Sequence, residues 1–239
     1  MYHPPPPTPD ESAAGFDDPD DFEFLALSAI GPAPVDLGGL RFSEGVSFDF
    51  ASATRTVADP GSAVLIARNR AAVAARYGQA VADRVIGEYF GGLSNGGEFL
   101  RLETRADASI VKAFRYRDTA PWPAAADGRG ASLLLRDPES NPDHDSPSSW
   151  TASAAYGGQP GGTPMALPYS AWAARVLPEA IASDPARSAA EADADGDGWT
   201  NLLEFHLLAD PVDPRHTPAI GTRHVSHEDG DVLEVSALL

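Results

Sequence analysis

Apolar and polar residues alternate over many short segments in the first two thirds of the chain, as they do in β-strands buried on one face. A turn near Ala106-Asp107 joins the clearest pair of such segments into a predicted hairpin. Asn69 is suited to cap a short helix that runs to about Tyr77. The predicted strands are residues 22–28, 40–43, 46–50, 63–67, 87–90, 98–104, 109–116, 132–136 and 150–153. About nine short strands at regular spacing predict a mainly β fold, a β-sandwich over residues 1–163.

The pattern differs on both sides of the stretch that holds the nine predicted strands, residues 22–153. Before it, four prolines and then an acidic stretch over residues 4–21 predict polyproline II followed by a solvated loop. After it, residues 164–213 predict short helices, one capped by Ser170 and one running from Thr200 to Leu208. For residues 214–239 the pattern predicts a linker and the start of a truncated β-segment. Its strand, over residues 231–236, has no visible partner in its own segment.

The most specific motif is DADGDGWTNLLE, which runs from Asp193 to Glu204 and has the spacing of a twelve-residue EF-hand calcium loop. Calcium takes six to eight oxygen ligands, so the loop must turn its carboxylates inward, and Gly198 permits the sharp turn. The last glutamate lies in the first turn of the next helix and can offer both oxygens. The predicted metal ligands are Asp193, Asp195, Asp197, the Trp199 carbonyl, Asn201 and Glu204.

Two alternatives to a calcium site are an acidic, solvated linker and a magnesium site. Magnesium fits less well, because it prefers fewer protein ligands and stricter octahedral geometry. Position 8 of the loop is Thr200, where paired EF-hands usually carry an aliphatic residue, and no second loop of this quality is present. The motif therefore resembles the solitary calcium loops of dockerins and thrombospondin type 3 repeats, a resemblance that residues 209–214 strengthen.

Composition narrows the classes of partner. The chain has 239 residues, of which 17 are basic and 35 acidic, for a net charge of −18. Phosphate binding needs a basic face, so nucleic acid and anionic membranes are disfavoured as partners. There is no cysteine, which excludes disulfides and cysteine-based zinc or redox chemistry.

Residues 1–163 also resemble a bacterial lamin-tail domain, which is an immunoglobulin-like β-sandwich. The resemblance rests on the order of several stretches, and the family's usual second acidic residue in the first of the strands is replaced here by Ala26. The stretches are residues 1–4, 23–27, 34–43, 93–98, 120–123, 126–133 and 149–150. In bacteria such domains occur in large exported or surface proteins, some beside spore-coat (CotH-like) kinases, nucleases or phosphatases, and the module is not known as a catalyst.

These observations predict a non-enzymatic, calcium-binding spacer or binding module of a larger exported or cell-surface bacterial protein. The expected partners are calcium and either other domains of a longer chain or a surface protein or polysaccharide. The N-terminus lacks the basic start and apolar stretch of a signal peptide, so the product is either cytosolic or a piece of a longer exported chain. Because Met1 falls inside the first strand of the lamin-tail pattern, which usually has a few residues before it, we expect a segment of a longer chain. An alternative is an accessory segment of a larger enzyme such as a spore-coat (CotH-like) kinase.

Three other motifs carry weaker hypotheses. Gly92-Leu-Ser-Asn-Gly96 has the form of a hydrolase nucleophile elbow with Ser94 as nucleophile, but the elbow needs a following helix and a strand is predicted instead. His224 and His227 have the spacing of two zinc ligands but lack an adjacent glutamate. Trp122, Trp150 and Trp172 could form a sugar-binding platform, although packing in the core is their expected role.

Overall fold

The computed structural model describes residues 1–154, 156–162, 168–215, 219–227 and 230–238, with the backbone alone for residue 162 and for the last two ranges. The chain divides into two compact units, Met1–Leu167 (unit 1) and Pro168–Leu239 (unit 2). The predicted strand over 231–236 and the pair His224 and His227 fall where only the backbone is described. Among the described residues, no helix has the length and apolar character needed to cross a bilayer.

Unit 1 is built from short strands with a few short helices. Its described strands are β1 (Phe24–Ser28), β2 (Val35–Asp36), β3 (Leu40–Glu44), β4 (Phe48–Asp49), β5 (Val57–Ala58), β6 (Ala63–Ala67), β7 (Val85–Glu88), β8 (Gly97–Thr104), β9 (Ile110–Arg117), β10 (Leu133–Leu135) and β11 (Trp150–Ala152). Its α-helices are α1 (Pro9–Ala13), α2 (Arg70–Tyr77) and α3 (Gln79–Ala82). Short 3₁₀ segments are Pro19–Phe22, Phe50–Ser52, Ala124–Ala126, Pro138–Ser140, Pro147–Ser149 and Pro160–Gly162.

The strands form two larger sheets and two small pairs. One larger sheet has the order β4-β3-β8-β9 and is antiparallel throughout, which includes the predicted β8–β9 hairpin. The other has the order β1-β6-β7, in which β1 pairs antiparallel and β7 parallel to β6. The small pairs are β2–β5 and β10–β11. The predicted β-rich fold is therefore confirmed.

The parallel pairing of β6 and β7 is a feature that the strand pattern does not predict. Parallel neighbours cannot be joined by a tight turn, so the chain has to cross over between them. Helices α2 and α3 provide this crossover. The Asn69 side chain accepts hydrogen bonds from the Ala71 and Ala72 amides and so caps α2, as predicted.

Strand β6 is buried on both faces, which explains why its sequence is continuously apolar. Val64 and Ile66 belong to a core cluster shared with residues of the four-stranded sheet, such as Phe42 and Leu100. Leu65 points the other way, into a second cluster. That second cluster also contains Val73 and Tyr77 of α2, and Val81, Ala82 and Val85. Each square ångström of buried apolar area contributes roughly 25 cal/mol, so this two-sided burial makes β6 central to unit 1.

The three tryptophans that were candidates for a sugar platform are buried. Trp122 and Trp150 lie in the core cluster that the two larger sheets share. Trp172 is buried in unit 2, where its ring packs against Tyr169 and Phe205. The expected packing role is confirmed for all three.

The N-terminal acidic segment is not a solvated loop throughout, so that prediction is wrong for its central part. Glu11 lies in α1, is buried, and accepts hydrogen bonds from Arg76 of α2 through both carboxylate oxygens, each at 3.0 Å. The Arg76 side chain is also buried and stacks on the Phe22 ring at 3.3 Å. Glu11 accepts a further bond from the Thr8 amide, which closes a capping box.

Glu23 is a second buried carboxylate, directly before β1. Its Oε2 accepts from the Tyr89 hydroxyl at 3.0 Å and from the Leu93 amide at 2.9 Å, whereas its buried Oε1 has no hydrogen-bond partner. Burial raises the pKa of the carboxyl to about 7, against the opposing effect of these two donors. Glu23 is therefore a group whose protonation is coupled to the folding of unit 1.

Unit 2 consists of four short helices and a hairpin in its described part. The elements are α4 (Tyr169–Val176), α5 (Glu179–Ala182), α6 (Pro185–Ser188), α7 (Asn201–Leu207), β12 (Ala219–His227) and β13 (Gly230–Leu238). The N-cap of α4 is Pro168, so the prediction that Ser170 caps this helix is wrong. Strands β12 and β13 pair antiparallel along their whole length, so the strand over residues 231–236 does have a partner in its own segment.

Replacing Glu11 with glutamine should destabilise unit 1 by about 3 kcal/mol, because the buried Arg76 guanidinium would lose its compensating charge. Urea unfolding followed by tryptophan fluorescence would measure the change. Asp59→Asn is the matched control, since Asp59 faces Arg55 at 3.9 Å with both side chains at least half exposed, and should lose less than about 1 kcal/mol. Equal losses in the two variants would contradict the assignment.

Replacing Glu23 with glutamine should flatten the pH dependence of unit 1 stability. The folded-state pKa of about 7 lies above the ordinary value of 4.5. The stabilising contribution of the protonated group is therefore complete below about pH 4.5 and is lost as the pH rises through 7. Glutamine retains an acceptor for Tyr89 and Leu93 but does not titrate. The free energy of unfolding across this pH range would test this, and an unchanged slope in Glu23→Gln would refute it.

Candidate metal centre

The loop between α6 and α7 is organised first by Asp193. Its Oδ1 accepts from the Gly196 amide at 2.6 Å and its Oδ2 from the Gly198 amide at 2.8 Å. Both glycines have positive φ, +84° and +97°, and a Cβ at either would meet no neighbouring atom. Glycine is therefore required here by backbone conformation and not by lack of space. Asp193 thus holds the chain in a tight coil around its own carboxylate.

Asp195 and Asp197 extend the same arrangement. Asp195 Oδ1 accepts from the Asp197 amide at 3.2 Å, and Asp197 Oδ1 accepts from the Trp199 amide at 2.8 Å. The second oxygen of each carboxylate is buried and has no hydrogen-bond partner. Carboxylate oxygens of Asp193, Asp195 and Asp197 lie within 4.8 Å of one another, close enough for one metal ion. The predicted grouping of these three aspartates is what the structure shows.

Helix α7 brings Glu204 into the same region. Thr200 caps the helix by accepting from the Leu203 amide, so Glu204 lies in its first turn. The Glu204 side chain is completely buried, and neither carboxylate oxygen has a hydrogen-bond partner. Because nearly all buried polar groups in proteins are paired, two orphaned oxygens on one carboxylate indicate that a partner is missing.

The electrostatics of the loop agree with this geometry. Burial raises the pKa of the Glu204 carboxyl to about 8, and the charges of Asp195, Asp197, Asp193 and Asp210 add to the effect. Burial also raises the pKa of Asp195, again reinforced by neighbouring aspartates. For Asp193, burial acts in the same direction, but the amides of Gly198 and Gly196 outweigh it and lower the pKa. A positive charge close to these carboxylates would lower the raised pKa values of Glu204 and Asp195.

Asn201 has a different position from the one expected of a ligand. Its Oδ1 accepts from the Ala194 amide at 3.2 Å, and its Nδ2 donates to the carbonyls of Arg187 at 2.8 Å and Ala189 at 2.9 Å. The side chain is fully buried. It therefore ties the start of α7 to the end of α6 and to the loop, and acts as a brace. The loop spacing alone could not distinguish this role from ligation.

Trp199 and Asp210 complete the surroundings of the loop. The Trp199 amide is used by Asp197, while ligation through its carbonyl stays a prediction. Asp210 is a residue that the loop motif does not include, yet its charge acts on both Glu204 and Asp195. It lies three residues beyond the end of α7, in the Asp-Pro sequence at residues 210–211, which was the available signal.

Ser94 lies in a loop that does not have the form of a nucleophile elbow. The element that follows is strand β8, as the sequence predicted, where an elbow requires a helix. The Ser94 carbonyl accepts from the Tyr116 hydroxyl at 2.8 Å. The histidine closest to a catalytic arrangement on the sequence, His144, packs instead against Phe114 and Trp150, with its Nδ1 at 2.7 Å from the Pro142 carbonyl.

Comparisons of the chain with protein-family models, with curated proteins and with solved structures give no match.

Replacing Asn201 with aspartate should destabilise unit 2 even in the presence of a chelator. The substitution keeps the acceptor for Ala194 but removes both donors and buries a charge, at a cost of about 2–3 kcal/mol. Hydrogen exchange at the amides of α6 and α7 would report the loss. Asn95→Asp is the matched control, because Asn95 is exposed. If Asn201→Asp instead left metal-free unit 2 unchanged and altered only metal affinity, Asn201 would be a ligand and not a brace.

Proposed function

We propose that unit 2 binds one calcium ion in the loop Asp193–Glu204, and that the chain is a non-catalytic binding or spacer module whose C-terminal part calcium stiffens. The observation that carries the proposal is a set of four buried carboxylate oxygens without hydrogen-bond partners. They are Asp195 Oδ2, Asp197 Oδ2 and both oxygens of Glu204. Burying such groups without compensation is costly, and a bound cation would compensate all of them at once.

The donor set favours calcium over other metals. Asp193, Asp195, Asp197 and Glu204 offer carboxylate oxygens, which suit hard cations, and the three-aspartate group contains no histidine or cysteine of the kind zinc prefers. Glu204 has both oxygens available, so it can bind calcium in a bidentate manner. Magnesium demands near-ideal octahedral geometry and keeps several waters, which a loop crowded with carboxylates accommodates less well.

Calcium binding would act on the folding of unit 2. Without a cation, the carboxylates of Asp193, Asp195, Asp197 and Glu204 repel one another, and Glu204 is driven towards its protonated form. An ion held jointly by the loop and by the first turn of α7 would connect the two, in addition to the brace that Asn201 provides. The free energy of binding would then appear as folding free energy of unit 2.

For unit 1 we propose an immunoglobulin-like sandwich of the lamin-tail type. What supports this is the packing of the β4-β3-β8-β9 and β1-β6-β7 sheets around one shared core cluster. A module of this kind, joined to a calcium loop, suits an exported or cell-surface protein, where calcium is plentiful. Its partners would be other domains of a longer chain, a surface protein or a polysaccharide.

Calorimetric titration of the metal-stripped protein should give saturable binding of one calcium ion per chain. Glu204→Gln should weaken calcium binding at least about tenfold, or about 1.4 kcal/mol, because it removes one of the bidentate oxygens and the charge. In chelator the same variant should unfold at a higher urea concentration than the wild type, because it removes a buried, repelled carboxylate. These two effects have opposite signs, which a general folding defect cannot produce.

Glu191→Gln is the control, since Glu191 is exposed and lies just outside the loop. It should leave both quantities unchanged. Repeating the titration with magnesium tests the choice of metal. Absence of saturable binding at about 1 mM calcium, or equal behaviour of the two glutamine variants, would overturn the proposal.

A further inference from the structure

Unit 1 contains an open depression of about 690 Å³ that lies far along the chain from the metal loop. The 3₁₀ segment Pro19–Phe22, the residues just before α2 and the loop after β7 surround it. The lining residues that carry the argument are Asp20, Asp21, Arg68, Asn69, Phe90 and Gly92. This is the size range of pockets that hold small ligands.

Phe90 presents its ring to solvent at the edge of this depression. The side chain is 84% exposed, the largest value among the large apolar side chains of the described residues. Its backbone is nevertheless held firmly, because the Phe90 amide and carbonyl exchange two hydrogen bonds of 2.9 Å with Ser47. A single exposed apolar residue needs no explanation by itself. An exposed aromatic ring on a fixed backbone, beside a polar cavity, nevertheless offers an apolar surface on which a ligand can stack.

Hydrogen bonds between side chains hold the polar groups of the depression in position. Arg68 donates to Asp20 at 3.0 Å and to Asp18 at 3.1 Å, and Asn69 donates to Asp21 at 3.3 Å. These bonds use Oδ2 of Asp20 and Oδ1 of Asp21, so each carboxylate retains a second oxygen as an acceptor. Side chains held in this way lose little conformational entropy when they bind a ligand.

Gly92 lines the depression, with the buried Glu23 behind it. A Cβ on Gly92 would lie 2.9 Å from Arg68 Nη1 and 3.7 Å from Glu23 Oε2, so the glycine allows the backbone to lie against both side chains. The side-chain acceptors that the lining offers are therefore the free carboxylate oxygens of Asp20 and Asp21.

The charge of the site disfavours anionic ligands. The lining carboxylates Asp20 and Asp21 outnumber the one lining cation Arg68, which also donates to Asp18, so phosphates and anionic polymers would be repelled. A divalent metal is also disfavoured. Among the described residues, the three-carboxylate group with metal-binding separation lies in the Asp193–Asp197 loop and not here. The free carboxylate oxygens and the exposed Phe90 ring together suit a ligand that is rich in hydroxyl donors and has an apolar face.

We infer that this depression binds a neutral oligosaccharide, with a sugar ring stacked on Phe90 and sugar hydroxyls donating to Asp20 and Asp21. A pyranose has both required features, since its C–H face is apolar and its hydroxyls lie around the edge. The inference extends the binding role proposed for unit 1 and is independent of the calcium site. The buried tryptophans take no part in it.

The test uses the full chain and three neutral probes, maltotetraose, cellotetraose and chitotetraose, titrated by calorimetry and by amide chemical shifts. At least one should bind saturably with Kd below about 10 mM and shift the amides of Phe90 to Asn95. Phe90→Ala should weaken this binding at least tenfold. Ile110→Ala, which removes an apolar side chain that is 61% exposed elsewhere on unit 1, should not.

A second pair of variants examines the polar contacts. Asp21→Ala should weaken oligosaccharide binding, whereas Asp17→Ala, which removes an exposed aspartate outside the lining, should not. Failure of all three sugars to bind, or equal effects of Phe90→Ala and Ile110→Ala, would overturn the inference. Binding of trilysine in place of the sugars would also overturn it, in favour of a basic peptide. Calcium titration of the same variants keeps the two proposals separate, because each can fail while the other holds.

Discussion

A carboxylate removed from water must be compensated, and the buried glutamates of this chain differ in what compensates them. Glu11 has a buried arginine, Arg76, with two hydrogen bonds of 3.0 Å. Glu23 has two neutral donors on one oxygen and nothing on the other, and its pKa is raised to about 7. Glu204 has no hydrogen-bond partner on either oxygen, and the charges of four aspartates act on it. The three glutamates thus range from a buried ion pair to a carboxylate without a hydrogen-bond partner among the described residues.

In unit 1 these charges are arranged around strand β6. Its two buried faces join the core shared by the larger sheets to the cluster under α2. The ion pair of Glu11 and Arg76 joins helix α1 to helix α2. Glu23, directly before β1, is held by Tyr89 and Leu93 from the segment after β7. The same segment presents Phe90 to solvent, so the proposed sugar site adjoins residues that hydrogen bonds to Glu23 and Ser47 hold in place.

Unit 2 depends more on polar contacts than unit 1 does. Over residues 168–215 its buried apolar side chains are few, and the loop holds its carboxylates by hydrogen bonds from its own amides. Asn201 joins α6, the loop and α7 through three bonds to backbone groups. A unit of this size would gain stability from the calcium ion that we propose, because the ion would replace repulsion among the acidic groups with attraction.

The sequence by itself determined the features that depend on neighbouring residues. The strand pattern, the β8–β9 hairpin, the Asn69 cap and the inward turn of Asp193, Asp195 and Asp197 all arise from local hydrogen bonds and local periodicity. The placement of Glu204 beside them follows from the helix that begins at Thr200. These were accessible because the interacting groups lie within about one turn or one hairpin of each other.

Only the tertiary structure decided which distant groups meet. Glu11 and Arg76 are 65 residues apart in the chain, and no periodicity links them. The parallel pairing of β6 with β7, the brace formed by Asn201 and the depression beside Phe90 likewise depend on how separate elements pack. A sequence pattern records which side of an element is apolar, but it does not record the neighbour that covers that side. For this reason the grouping of Asp193, Asp195 and Asp197 could be predicted from sequence, whereas the buried ion pair and the proposed sugar site could not.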